Sequence, residues 1–204
     1  MRIIFATHNP NKLVEIRRIL GDIAGEILAK SELGIVLEPE ETGETFAANA
    51  ELKAVAIRDY MRDRGMLQPG DVVMADDSGL CIDFLKGAPG VYSARFMGED
   101  TGYDIKNRYL IDQLKGVSGA DRAAHFTCNI CAALSDGRIL HAEGIFPGQI
   151  AEKAAGSNGF GYDPILYLPE YGKTSAELAP DEKNKISHRG KALRRMKELL
   201  EKEA

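Results

Sequence analysis

No apolar run in this sequence of 204 residues approaches the roughly 20 residues that a membrane-spanning helix requires, although 44% of it is hydrophobic. A membrane-spanning protein is therefore not expected. An excess of positive charge is also missing. Lys and Arg total 26 against 31 Asp and Glu, for a formal net charge of −5. That balance argues against a general nucleic-acid binder, whose surface would be basic, but allows a small anion held by a few local cations. Cysteine is scarce: three are too few for a disulfide scaffold, and an odd number suits a reducing compartment. Met1–Thr7 carries one charge and a short apolar run before polar loop residues, and reads as a strand rather than a signal peptide. The expected location is the cytoplasm. Internal repeats, low-complexity segments and linkers are absent, so residues 1–204 are read as a single domain, large enough to form two small lobes.

The chain is organised around Val72-Val73-Met74-Ala75-Asp76-Asp77-Ser78-Gly79-Leu80. An apolar strand running into two adjacent carboxylates predicts acids at a strand tip, where an open sheet presents its ligands. Adjacent carboxylates repel unless a positive group lies beside them. The plainer interpretation is a turn after a strand, since Asp, Ser and Gly are ordinary turn residues. Cys128 and Cys131 form a CxxC, but they lie where Ala124, Phe126, Cys128, Ile130, Ala132 and Leu134 alternate with His125, Thr127 and Asn129. In a strand, residues three apart point to opposite faces, which predicts two packed thiols and not a metal or redox pair.

Before the Asp-Asp strand, Arg2–Ala6 predicts a short buried strand. Thr7-His8-Asn9-Pro10-Asn11-Lys12 then turns into a helix with Leu13, Ile16 and Leu20 on one face. Asn9 suits the cap and Pro10 the first helical position. Amides at such a helix start attract phosphate, and Lys12 adds a charge, although the glycines of a P-loop or dinucleotide fingerprint are lacking. The acidic loop Glu38–Glu44 precedes a helix from Phe46 to about Arg64, capped by Thr45. Its buried face carries Ala47, Ala50, Ala54, Ile57 and Met61, while Asn49 and Lys53, four apart, share another. Lys53 reads either as a solvated charge or as a second phosphate ligand.

After the strand, Cys81–Leu85 predicts a return arm or loop, and a helix is expected from about Tyr103 to Lys115. Ala123–Leu134 and Ile139–Ile145 flank Ser135-Asp136-Gly137-Arg138, a hairpin signal, with a further strand at Gln149–Lys153. Gly156–Pro164 is glycine-rich with two aromatics, so backbone can approach a flat ligand closely. A basic stretch holding Lys183 and Lys185 leads to a C-terminal helix with Leu193, Met196 and Leu200 on one face. The expected class is α/β with a mixed β-sheet flanked by helices.

Taken together, these motifs resemble the inosine triphosphate pyrophosphatases, which act on non-standard purine nucleoside triphosphates. The matching stretches are Thr7-x-Asn9-x-x-Lys12, Glu40-Glu41-Thr42-Gly43 followed by Thr45-Phe46-x-x-Asn49-Ala50-x-x-Lys53-Ala54, Ala75-Asp76-Asp77-Ser78-Gly79-Leu80, and Gly87–Arg95. Gly159-Phe160-Gly161-Tyr162-Asp163-Pro164 and Ser187-His188-Arg189-Gly190 complete the set. Each is weak alone; together, in this order, they are specific. The resemblance implies an elongated mixed sheet in two lobes around a central nucleotide cleft, and a homodimer. The implied reaction is Mg²⁺-dependent cleavage of ITP, dITP or XTP between the α and β phosphates, which removes these nucleotides from the pool.

It also implies that Asp77 is the catalytic and metal residue and that Glu40 serves the metal, with Glu41 as an open alternative. Thr7, His8, Asn9, Pro10, Asn11, Lys12, Lys53, Ser78, Phe160, Gly161, Tyr162, Asp163, Lys183, His188 and Arg189 are the implied substrate contacts. The candidate donors to the base oxygen at position 6 are Arg189, His188 and backbone amides of the Phe160–Asp163 loop, with Arg189 preferred because its planar cation is permanently charged. The partner is then a small-molecule nucleotide, with no nucleic acid and no membrane. A related pyrophosphatase for modified pyrimidine nucleotides is the alternative reading.

Overall fold

The structure, a computed structural model, describes residues 1–7 and 10–203, with Pro10 and Asn11 described by their backbone alone. Seven strands form one mixed sheet: β1 (Arg2–Phe5), β2 (Glu26–Ala29), β3 (Asp71–Ile82), β4 (Ala123–Leu134), β5 (Ile139–Ile150), β6 (Leu166–Leu168) and β7 (Lys173–Thr174). Their order across the sheet is β2-β1-β3-β4-β5-β6-β7. β1 pairs parallel with β2 and with β3, whereas β5–β6 and β6–β7 are antiparallel. The helices are α1 (Pro10–Leu20), α2 (Phe46–Asp63), α3 (Tyr103–Gln113), α4 (Pro180–Ile186) and α5 (His188–Glu203). Among the described residues, no helix is long and apolar enough to cross a membrane.

The chain divides into two compact units. The first holds Met1–Asp77, Cys128–Gly144 and Arg189–Ala204; the second holds Ser78–Thr127 and Ile145–His188. In the first unit the parallel strands are buried on both faces, as parallel strands covered by helices must be. Ile3, Phe5, Val72 and Met74 pack with Ile16 and Leu20 of α1 and with Leu193 and Met196 of α5. The alternate residues Ile4 and Val73 pack with Ile57 and Met61 of α2. The face of α2 predicted to be buried is buried at Ala50, Ala54, Ile57 and Met61, and the Thr45 side chain caps the helix by accepting from the Ala48 amide. In the second unit Leu80, Ile82, Leu110, Phe126, Phe146, Ile165 and Leu166 form a separate core.

Two expectations are overturned. Asp76 and Asp77 lie within β3, not at its tip: the strand continues through Ser78 and Gly79 to Ile82, and Cys81–Ile82 extends it instead of returning. A single 3-10 turn at Asp83–Leu85 then ends it. The turn signal of Asp-Asp-Ser-Gly is local. It is outweighed by strands on both sides of β3 and by cations supplied from helices 64 and 113 residues away in the chain. Likewise β5 runs unbroken to Ile150, so Gln149 belongs to it and no separate strand forms there. Cys128 and Cys131 are buried in different apolar clusters, as opposite strand faces require, and neither is disulfide-bonded. Burial pushes the Cys131 thiol up to about 12, with Glu51 adding to the shift.

Candidate active site

In the first unit, the strand alternation of β3 separates its two acids. Asp76 faces α1 and α5, where Lys12 Nζ donates to Oδ1 at 2.9 Å and Arg189 Nε to Oδ2 at 3.2 Å. Burial opposes its charge, but Lys12, Arg189 and Lys53 outweigh burial and hold the carboxyl far below the usual carboxylate range. Arg189 is itself buried and lies 3.5 Å from Glu15. Burial opposes its charge too, yet Asp76 and Glu15 keep its proton affinity above that of ordinary arginine.

Asp77 faces α2. Asn49 Nδ2 donates to its Oδ2 at 3.1 Å, and Lys53 Nζ stands 3.9 Å from its Oδ1. Its carboxyl is pushed above the ordinary range: burial is the largest cause, Lys53 and Asn49 counteract it, and Glu41 and Asp76 reinforce it. Lys53 also contacts Glu41 Oε1 at 2.6 Å. Burial works against its charge, but Asp77, Asp76 and Glu41 raise its proton affinity on balance. Lys53 is thus a cation shared among acids and not a solvated surface charge. The acidic loop is pinned at its start by buried Lys30, whose Nζ donates to the Leu37 carbonyl at 2.6 Å and to Glu38 at 2.8 Å. Glu41 belongs to this cluster, whereas Glu40 is exposed.

Of the first loop, Thr7 is buried directly after β1, Lys12 sits on α1, and Pro10 opens that helix as the sequence predicts. His8 and Asn9 lie outside the described residues, as do the side chains of Pro10 and Asn11. Among the described residues, no group of three or more His, Cys, Asp or Glu could hold a metal ion by itself. Asp77 and Glu41 offer hard carboxylate oxygens, and that donor set fits Mg²⁺, which usually takes one or two carboxylates and completes its shell with water and phosphate oxygens.

The second unit holds Ser78, partly buried in β3, and the glycine-rich loop. Asp163 is the centre of that loop. Its Oδ2 accepts from the Phe160 amide at 2.9 Å and from Lys183 Nζ at 2.5 Å, and its Oδ1 accepts from Ser175 Oγ at 2.9 Å. Tyr162 is buried, donates its hydroxyl to the Ser93 carbonyl at 2.8 Å, and meets Tyr103 edge-on at 5.1 Å. Gly161 has φ +68°, a conformation that side chains rarely adopt, and its carbonyl accepts from Asn107 Nδ2 at 3.1 Å. With the backbone so fixed, the Phe160 ring is left 51% exposed, with the Lys183 ammonium 6.0 Å from its centroid. Phe160 and Gly161 line an open pocket of about 670 Å³ together with Tyr103 and Asn107. His188 stacks on Phe126 at 4.9 Å, and the Phe146 ring lies near parallel to the imidazole at 6.5 Å.

Sequence reasoning missed Asn107, Ser175 and Ser93, which hold the loop from 54, 12 and 69 residues away and carry no local signal. The i, i+4 relation does place Asn49 on one face of α2 with Lys53, but Asn49 is not among the implied substrate contacts.

The Ham1 family model matches residues 3–199. The chain belongs to the Ham1 family. A dITP/XTP pyrophosphatase from Clostridium perfringens (strain 13 / Type A) is 46% identical over 199 residues, 98% of this chain and 97% of that protein. A dITP/XTP pyrophosphatase from Bacillus subtilis (strain 168) is 42% identical over 198 residues, 97% of this chain and 96% of that one. The fold also matches two solved Ham1 structures. That of Coxiella burnetii has a TM-score of 0.86 at 37% identity, covering 99% of both chains. That of Staphylococcus aureus has a TM-score of 0.86 at 36% identity, covering 100% of both.

Proposed function

We propose that this Ham1 protein is a nucleoside triphosphate pyrophosphatase that hydrolyses dITP, XTP and ITP to the monophosphate and pyrophosphate. Its relatives, named dITP/XTP pyrophosphatases, supply the substrate class. The observation that carries the chemistry is Asp77, a buried carboxylate of raised proton affinity beside Lys53, Asn49 and Glu41. A base that accepts a proton from an attacking water works best when its proton affinity approaches the working pH, and burial moves Asp77 in that direction. In this reading Lys12 and Lys53 neutralise phosphate oxygens, whose charge must be balanced as the bond to the leaving pyrophosphate breaks. Mg²⁺, held by Asp77 and Glu41, would neutralise further phosphate charge and make a bound water easier to deprotonate. The exposure of Glu40 favours Glu41 as the second carboxylate.

For the base, exposed Phe160 offers a stacking face on a backbone held by Asp163, Lys183 and Asn107. The buried pair between Arg189 and Asp76 supports an electrostatic role for Arg189, so we assign contact with the base to His188 and the Phe160–Asp163 loop. We further propose a homodimer acting in the cytoplasm, where it clears non-standard nucleotides. Light scattering is expected to give twice the 22.3 kDa chain mass.

The deciding experiment incubates the protein with Mg²⁺ and separate portions of ITP, dITP, XTP, ATP, GTP and modified pyrimidine triphosphates, and measures pyrophosphate and phosphate. Pyrophosphate from the 6-oxo purines ITP, dITP and XTP, stopped by a chelator without unfolding, is the expected result. Release of phosphate alone, turnover restricted to the pyrimidine nucleotides, or full activity in excess chelator would each defeat the proposal in the corresponding part.

A further inference from the structure

We propose that Asn49 is a positioning residue that orients two carboxylates with one amide: Asp77 directly, and Glu41 through the backbone of Gly43. This rests on the hydrolytic function proposed above. Asn49 is completely buried on α2, next to the apolar positions Ala50 and Ala54. A buried amide is costly unless both ends are bonded. Here Oδ1 accepts from the Gly43 amide at 2.7 Å and Nδ2 donates to Asp77 Oδ2 at 3.1 Å.

The direction of the amide is dictated by chemistry. A backbone N–H can only donate, so the oxygen of Asn49 must face Gly43 and its nitrogen must face Asp77. Asp77 is thereby tied through Oδ2, and Oδ1 is the oxygen turned toward Lys53 at 3.9 Å. At the other end, a Cβ on residue 43 would stand 2.7 Å from Asn49 Oδ1 and 2.8 Å from Ala48 Cβ, so only glycine permits this approach. The acidic loop is anchored by Lys30 at Leu37 and Glu38 and by Asn49 at Gly43, with Glu41 between the anchors and paired to Lys53. One buried side chain therefore sets the spacing between the strand acid and the loop acid, although it is argued to touch neither substrate nor reacting atoms.

The test uses Asn49→Ala, which removes both bonds while keeping a strong helix former. Wild-type turnover of dITP is established first; its absence would overturn both the function and this inference. With a turning-over wild type, kcat of Asn49→Ala is expected to fall about 10²-fold, the scale of a misplaced catalytic group. Calorimetric binding of a non-hydrolysable ITP analogue in chelator should keep its stoichiometry, with Kd changed by less than about threefold, because the phosphate-facing lysines remain. Retained kcat, or a fall in kcat matched by lost binding stoichiometry, overturns the assignment and leaves the proposed function standing. Should Asn49→Ala fail to fold, Gly43→Ala decides. A lower kcat at unchanged stoichiometry supports the coupling, and an unchanged kcat overturns it.

Discussion

Asp163 in the second unit and Asp77 in the first are both buried carboxylates beside a lysine, yet they are solvated in different ways. Asp163 receives an amide, an ammonium and a hydroxyl, at 2.9, 2.5 and 2.9 Å, all from the loop and elements it organises. Its neighbours point inward at it, and the exposed group of that region is the Phe160 ring. Asp77 accepts from the Asn49 amide at 3.1 Å, stands 3.9 Å from a lysine that is closer to Glu41, and has Asp76 as its chain neighbour. A carboxylate surrounded by donors is a structural knot. One that is buried among other acids with a shared cation stores unfavourable electrostatic energy, which a proton or a metal ion can relieve. Asp76 belongs with Asp163 in this respect, since Lys12 and Arg189 both donate to it and outweigh its burial.

The sharpest way to break this contrast is Asp77→Asn. It should lower kcat/KM by on the order of 10²–10⁴, the range for a lost general base, in a steady-state assay on dITP. It should not lower the melting temperature without metal. Because folding raises the proton affinity of Asp77, its contribution to stability is present below the ordinary carboxylate range and is lost as pH rises through the raised folded value. Denaturant midpoints of the wild type should therefore decline across that window, and Asp77→Asn should remove that decline. A variant with near-normal turnover would end the catalytic assignment.

Asp76→Asn should do the reverse, costing about 3–5 kcal/mol because Lys12 and buried Arg189 lose their charged partner on β3. Folding depresses the Asp76 proton affinity, so its stabilisation is present above the ordinary range and is lost only in strong acid. Thermal denaturation showing Asp76→Asn as stable as wild type would erase the distinction between the two neighbours. Lys53→Ala comes next: triphosphate binding should weaken by about 1.5–3 kcal/mol, the value of a hydrogen bond to a charged group, with nucleoside binding nearly unchanged. Equal losses for both in titration calorimetry would return Lys53 to a packing role. The smallest effect is expected at Phe160. Phe160→Ala should weaken base binding by about 1–3 kcal/mol through lost stacking. It should move the melting temperature little, because the ring is half exposed. A large loss of stability would make Phe160 part of the knot it is proposed to stand outside.

Much of this was legible along the chain. The period of α2 placed Asn49 and Lys53 on one face, and Thr45 announced its start. Strand alternation separated Cys128 from Cys131, and the motif set pointed to the family. Local reasoning failed at Ser78-Gly79, where a turn signal yields to a continuing strand, and at Gln149, where β5 runs on. Glu40 and Glu41 were equally indistinguishable along the chain, since both sit in one loop and differ only in their surroundings: Glu41 pairs with Lys53, and Glu40 is exposed.

The sequence by itself determined the elements whose cause is local: periodic helices, their caps, the hairpin at Ser135–Arg138, and which residue types were available for phosphate chemistry. The tertiary structure alone decided what each charge experiences. Asp76 and Asp77 are adjacent and chemically identical, yet their proton affinities move in opposite directions. The cause is that Lys12 and Arg189 reach one face of β3 from α1 and α5, while the other face meets Asn49, Lys53 and Glu41. Electrostatic environment depends on separations in space, and the groups that set it here lie up to 113 residues apart in the chain.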